Sequence, residues 1–212
     1  MRISLRAAVE EVAARDPVLA HLVRIVGPIR HRQRDPDGHF GALVRAIVYQ
    51  QLAGRAAQAI HQRVRATVGD TLTPETLTAV PDEALRTAGL SANKLASLRD
   101  LSAKILDGTV ELNRSSRLSD EELITALVTV RGIGRWTAEM YLMFELRRLD
   151  VWPVDDLGVR QGYGSAWRLD PPPNAKQLAP LGERFRPYRS IVAPYCWEAV
   201  ALLRGGTDPA LR

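Results

Sequence analysis

Cysteine is nearly missing from this chain. Its 212 residues include one, Cys196. That excludes an intrachain disulfide framework, a multi-cysteine zinc site and an iron–sulfur cluster held by four cysteines. Long apolar runs are missing too. The best stretches, 18–29 and 191–203, are broken by His21, Arg24, Pro194 and Glu198, and fall short of the roughly 18–20 residues of a membrane helix. Arg6, Glu10 and Glu11 stand where a signal peptide would be apolar, so no secretion is expected and a reduced, cytoplasmic compartment fits. The four histidines (His21, His31, His39, His61) lack ligand spacing, which disfavours metal catalysis. No glycine-rich nucleotide loop ending in Lys-Ser or Lys-Thr occurs.

Lysine is scarce as well. Only Lys94, Lys104 and Lys176 occur, so the other 26 of 29 basic residues are arginine, and the formal net charge is +5. The arginine excess is consistent with a GC-rich genome as well as with a basic surface for nucleic acid. At 46% hydrophobic residues the chain is too apolar to be disordered, and its length suits one sizeable globular unit or two small ones sharing a core.

The pattern is helical nearly throughout. Phe40, Leu43, Val44, Ile47, Val48 and Leu52 form one amphipathic stripe, and Ala56, Ala57, Ile60, Val64 and Val68 a second after Gly54. Thr73-Pro74 reads as a cap and first-turn proline. Further short helices start at Pro81-Asp82-Glu83 and run along Leu95, Leu98, Leu101, Ile105 and Leu106, ended by Gly89 and Gly108. Ser119 with Glu122 reads as a capping box. Strand signals are scarce. Residues 31–38 and the Pro171-Pro172-Pro173 stretch read as loops, and 204–212 as a frayed tail. The expected fold class is all-α.

The informative segment is 121–160. A helix over about 121–130 meets Arg131-Gly132-Ile133-Gly134-Arg135, and a second begins near Trp136 and runs through Met140 and Phe144 to Arg147. Two glycines around one apolar residue make a tight corner. The unpaired amides opening the second helix, with the positive end of its dipole behind them, form a phosphate seat. A plain helix corner, with glycine as the C-cap, is the alternative. Then Val151-Trp152-Pro153-Val154 precedes two carboxylates, Asp155 and Asp156. One suits an N-cap. A cap does not account for two, and a partly desolvated carboxylate there stabilises positive charge or orients a water.

At these residues the chain resembles the helix-hairpin-helix DNA glycosylases, and within them DNA-3-methyladenine glycosylase II. The likeness rests on 127–138 followed by 151–160, with three supporting blocks. These are 46–57 (Ala46-Ile47-Val48-Tyr49-Gln50-Gln51-Leu52 onward), Gly89-Leu90 with Lys94, and Arg186-Pro187-Tyr188 through Trp197. It covers about 40–203. It implies two helical lobes, 1–39 with 149–212 and 40–148, with a DNA-binding cleft between them, the hairpin at about 121–148 and the catalytic aspartate in the discontinuous lobe. The family's aspartate is followed three positions on by an apolar helix residue. Asp156 with Val159 satisfies this, so Asp156 is assigned as catalytic and Asp155 as its neighbour.

By the same resemblance, the hairpin (Arg131, Gly132, Ile133, Gly134, Arg135, with Thr137) contacts DNA. Leu52, beside Gln51, matches the family's wedge, and Trp136, Trp197, Met140, Tyr49 and Gln50 match the base pocket. Carbonyls of Val128, Val130 and Ile133 match a site for a sodium or potassium ion; no other cofactor and no iron–sulfur cluster is expected. Met140 stands where some relatives have an aromatic residue, and Arg131 where many have proline. In relatives that also cut the strand, a nucleophilic lysine follows the hairpin; here Trp136 stands there. The expected activity is therefore that of a monofunctional glycosylase: it flips a damaged base out of duplex DNA, hydrolyses the glycosidic bond with Asp156 and leaves an abasic site. An alkylated purine is the expected target. Alternatives are a glycosylase for deaminated, oxidised or mismatched bases and a non-catalytic DNA-binding protein. The expected state is a monomer on nucleoid DNA, with no membrane partner.

Overall fold

Most helices here begin at a residue that can cap them. A computed structural model of the protein describes residues 3–30 and 33–205, the side chain of Arg204 excepted. Ser4 caps α1 (Leu5–Ala13), and Asp16, followed by Pro17, caps α2 (Pro17–Val26). After α3 (Gly38–Tyr49) and α4 (Gly54–Val68), Thr73 opens α5 (Pro74–Ala79) with a reciprocal capping box. Next come α6 (Asp82–Thr87) and α7 (Ala92–Leu106), the latter capped by Ser91. Ser119 and Glu122 form the expected box at the start of α8 (Asp120–Val128). The chain continues through α9 (Arg135–Phe144), α10 (Leu157–Ala166), α11 (Ala175–Leu181) and α12 (Arg189–Gly205). Among the described residues there is no strand, and no helix is long and apolar enough to cross a membrane.

Four boundaries differ from the sequence expectation. The α3 helix stops at Tyr49, so Leu52 is not the end of its stripe. The α8 helix ends at Val128 rather than near 130, because Val130 turns into the hairpin. The α9 helix ends at Phe144; Arg147, expected inside it, lies beyond, with φ 58°. Arg204 and Gly205, expected in a frayed tail, belong to α12; residues 206–212 lie outside the described residues, as do His31 and Arg32 of the expected 31–38 loop.

The chain divides into two compact units, Met1–His31 with Arg147–Arg212, and Arg32–Leu146. The junctions fall earlier than the 39/40 and 148/149 boundaries read from the sequence. The segment before α3 is tied to the second unit, where the Asp35 N–H donates to the Glu145 carboxylate at the end of α9 (3.2 Å).

In the first unit α10 packs on α12 with backbones nearly touching: a Cβ at Gly162 would fall 1.8 Å from the Cys196 carbonyl oxygen. Around this contact Leu19, Leu22, Tyr163, Phe185, Val192 and Tyr195 are fully buried, each contributing about 1.5–3 kcal/mol of apolar transfer energy. In the second unit α3, α5, α7, α8 and α9 contribute Leu43, Ile47, Leu77, Leu98, Leu101, Leu127 and Leu142, all without exposure. The apolar stripe of α3 goes inside from Phe40 to Val48, and that of α7 from Leu95 to Leu101, whereas Leu106 at the end of α7 is exposed.

Candidate active site and nucleic-acid interface

The hairpin is built on its two apolar residues. Val130 and Ile133 are buried, and the Ile133 N–H closes the turn on the Val130 carbonyl (3.0 Å). Between them Gly132 has φ 77°, a left-handed conformation that side chains resist. A Cβ there would also stand 2.6 Å from Ser97 Oγ. Gly134 is the N-cap of α9 and supplies no side-chain cap. The opening amides of α9 thus have no intrahelical acceptor and carry the positive end of the dipole. Gly134, Arg135 and Trp136 are exposed, so this end meets solvent, as an anion seat requires.

Side chains from outside the hairpin hold it. Asp100 Oδ2 accepts the Arg131 N–H (2.7 Å) and the Lys104 ammonium (2.9 Å), and Lys104 donates onward to the Thr129 carbonyl. The Arg131 guanidinium donates to Asn93 Oδ1 (3.3 Å). From the end of α3, Gln50 Nε2 donates to the Gly132 carbonyl (2.8 Å). Just past it Gln51 has φ 55°, and Leu52 is 38% exposed. The Lys94 ammonium caps α3 through the Val48 carbonyl (2.7 Å), and burial holds its pKa below the ordinary lysine value.

In the first unit the aspartate turn is assembled differently. Val151, Trp152 and Pro153 are buried. The Val151 N–H donates to Ser190 Oγ (2.8 Å) and the Trp152 indole to the Leu178 carbonyl (3.1 Å). Asp155 is exposed; Asp156 is 8% exposed and is the N-cap of α10. Its Oδ1 accepts the Val159 N–H (2.7 Å) and the indole N–H of Trp197 on α12 (2.9 Å). The indole reaches it only because residue 158 is glycine: a Cβ would lie 2.8 Å from Trp197 Cδ1. The capping function and the expected catalytic function thus fall on the same carboxylate. Burial pushes the neighbouring Cys196 thiol up, leaving it protonated and unreactive.

The structure shows where the other side chains expected in the site stand. The Arg135 guanidinium is engaged by Glu121 (3.1 Å) and Glu139 (3.0 Å), which raise its pKa; its side chain is already paired with carboxylates, which leaves its main-chain N–H for the expected DNA contact. Thr137 is buried, so it also has only a main-chain donor to offer. The amide nitrogen of Gln50, expected in the base pocket, donates to the Gly132 carbonyl of the hairpin. The Tyr49 ring stands edge-on to His61 (6.1 Å between centroids) with Arg45 above it (5.0 Å), so it is a packing partner of α4. Trp136 is 47% exposed and Met140 half-buried on α9, in the second unit, whereas Trp197 belongs to the first. Lys104, remote from the hairpin in sequence, is one of its supports. Sequence reasoning misses that support as a group. Asn93, Ser97, Asp100 and Lys104 recur at spacings of four, three and four along α7, one polar face whose purpose the apolar stripe beside it conceals.

A chain whose described residues form helices and no strand, with a glycine-cornered helix hairpin and a turn that presents a buried, hydrogen-bonded aspartate, has the frame of a helix-hairpin-helix base-excision protein. Residues 44–187 match the HhH-GPD superfamily base excision DNA repair proteins, and the chain belongs to that family. It is 36% identical over 203 residues to DNA-3-methyladenine glycosylase 1 of Schizosaccharomyces pombe, covering 94% of this chain and 89% of that one. The solved complex of that enzyme with abasic DNA superposes with a TM-score of 0.78, covering 90% of this chain and 95% of that one. A DNA-3-methyladenine glycosidase from Bacillus halodurans, 33% identical, superposes with a TM-score of 0.86 and covers 100% and 97%. DNA-3-methyladenine glycosylase 2 of Escherichia coli is 27% identical over 164 residues, 73% of this chain and 55% of that protein.

Proposed function

We propose that this protein is a monofunctional DNA glycosylase that removes alkylated purines of the 3-methyladenine type from duplex DNA and leaves an abasic site. The observation that carries the reading is Asp156: a buried carboxylate, held by one main-chain N–H and one indole N–H, in a chain similar along most of its length to 3-methyladenine glycosylases. Glycosidic cleavage develops oxocarbenium-like charge on the sugar. A carboxylate whose orientation is already fixed stabilises that charge without reorganising, and this is worth roughly 10²–10³-fold in rate for a single preorganised group. Water is the nucleophile, and Asp156 orients it. Alkylation at N3 or N7 makes the purine cationic and a good leaving group, so no general acid is needed. An electron-rich indole favours such a cation by about 0.5–2 kcal/mol, which suits Trp136 and Trp197. The target base must leave the stack, at a cost of a few kcal/mol that is smallest for a damaged pair.

The absence of strand cleavage follows in this reading from residue 136. A Schiff base needs an amine after the hairpin, and Trp136 supplies none. Lys94 and Lys104 spend their ammonium groups on main-chain carbonyls. The assignment to the type II branch rests on the hairpin and aspartate motifs together. Carbonyls of Val128, Val130 and Ile133, at the negative end of the α8 dipole, are the proposed holders of a sodium or potassium ion; neutral oxygens alone suit a monovalent ion. When bound, such an ion adds positive charge beside a DNA phosphate. The protein acts in this reading as a monomer on nucleoid DNA in the cytoplasm.

The test is incubation of the purified protein with duplexes carrying 3-methyladenine or hypoxanthine, with and without later alkali. Base release with strand breaks only after alkali is expected. Breaks without alkali would overturn the monofunctional assignment, and no release from either duplex would overturn the activity.

A further inference from the structure

The polar face of α7 brings a carboxylate and an ammonium to the chain that enters the hairpin. We propose that Asp100 and Lys104 are positioning residues for the phosphate seat. Asp100 fixes the hairpin through the Arg131 N–H, and Lys104 cancels the charge of that carboxylate, so that the clamp does not itself repel a DNA phosphate from the oriented amides. This rests on the hairpin being the DNA contact.

The geometry carries the inference. One carboxylate oxygen, Asp100 Oδ2, receives both the Arg131 N–H at 2.7 Å and the Lys104 ammonium at 2.9 Å. The same ammonium donates to the Thr129 carbonyl, two residues earlier in the corner. Lys104 therefore bridges the carboxylate to the chain that the carboxylate holds. Both side chains are partly shielded, at 31% and 24% exposure, so their charges act in a medium less screening than bulk water. The Arg131 N–H first, and Lys104 second, keep the Asp100 carboxyl below the ordinary aspartate range, so it is charged whenever DNA is bound. An acid beside an anion seat repels the anion unless something neutralises it, and Lys104 is the group placed to do so. A purely mechanical clamp would need neither charge: a neutral amide at 100 accepts the same N–H.

The two readings predict different affinities for a neutral residue at 100: tighter binding if the charges matter, wild-type binding if only the clamp does. Binding of an abasic-site duplex is measured for the wild type, Asp100→Asn, Lys104→Met and the double variant across a salt series, with thermal melting of each. Lys104→Met is expected to weaken binding about tenfold near 50 mM salt, a defect that shrinks toward higher salt as screening grows. Asp100→Asn is expected to bind about two- to threefold tighter than wild type, since the +1 charge of Lys104 is then uncompensated. The double variant should return to within about twofold of wild type, because an uncharged amide at position 100 still accepts the Arg131 N–H. Binding by Asp100→Asn that is no tighter than wild type, or no recovery in the double variant, would overturn the proposal and leave a mechanical clamp. If Lys104→Met does not fold, the sign of the Asp100→Asn effect still decides. Failure of the hairpin reading shows separately: Gly132→Ala would then bind DNA like wild type.

Discussion

The hairpin of the second unit and the aspartate turn of the first present polar groups in contrasting ways. The hairpin offers main-chain N–H groups. Its shape comes from one glycine in a left-handed conformation and from Asp100, Lys104 and Gln50, which hold it from other helices. The turn offers a side chain, steadied by the start of its own helix and by an indole 41 residues along. A main-chain site depends on backbone geometry and leaves its side chains open to other tasks; Arg135 accordingly pairs with Glu121 and Glu139. A side-chain site depends on one residue type at one position. Substitutions in the hairpin should therefore disturb binding, and substitutions in the turn should disturb chemistry.

The largest effect is expected for Asp156→Asn. Base release should fall by about 10²–10³-fold, with abasic-duplex affinity and melting temperature nearly unchanged, since asparagine also caps a helix. Single-turnover kinetics measure this; if Asp155→Asn abolishes release instead, the two carboxylates exchange roles. Next is Gly132→Ala, which forces a left-handed conformation costing about 1–3 kcal/mol and meets Ser97. Melting should show that loss, and binding isotherms should weaken at least tenfold while catalysis at saturating protein is preserved. A loss of catalysis alone would break the contrast. Trp197→Phe keeps an aromatic ring but loses a hydrogen bond to a charged group. It should slow base release about tenfold without changing duplex affinity. The smallest effect is expected for Gln50→Ala, one neutral hydrogen bond to the Gly132 carbonyl. It should weaken binding about threefold and leave the single-turnover rate as it was.

Much of this arrangement is legible in the amino-acid order. The glycine pair, the capping box at Ser119 and the aspartate pair are local signals, carried by residues within a few positions of one another. The capping box is formed and Gly134 caps α9. What sequence reading misses is long-range. Asp100 meets Arg131 across 31 residues and Gln50 meets Gly132 across 82; no periodicity records such pairs. Tyr49 and Gln50 match pocket residues only by the family resemblance. The chain turns at Gln50, however, and this sends the ring toward α4 and the amide toward the hairpin. The engagement of Arg135 depends on Glu121 and Glu139. In the amino-acid order the first of these reads as a helix-start signal and the second as one more charge on a helix.

The near contact of backbones at Gly162 and Cys196 bears on more than packing. The helices it joins carry Asp156 at the start of one and Trp197 on the other. Their longitudinal registry is set like that of two meshed gears, and a single added methyl group at position 162 would drive the teeth apart. An otherwise intact acid would then lose its indole, so a lineage or a library that alters this small residue can disable the proposed chemistry without touching either Asp156 or Trp197.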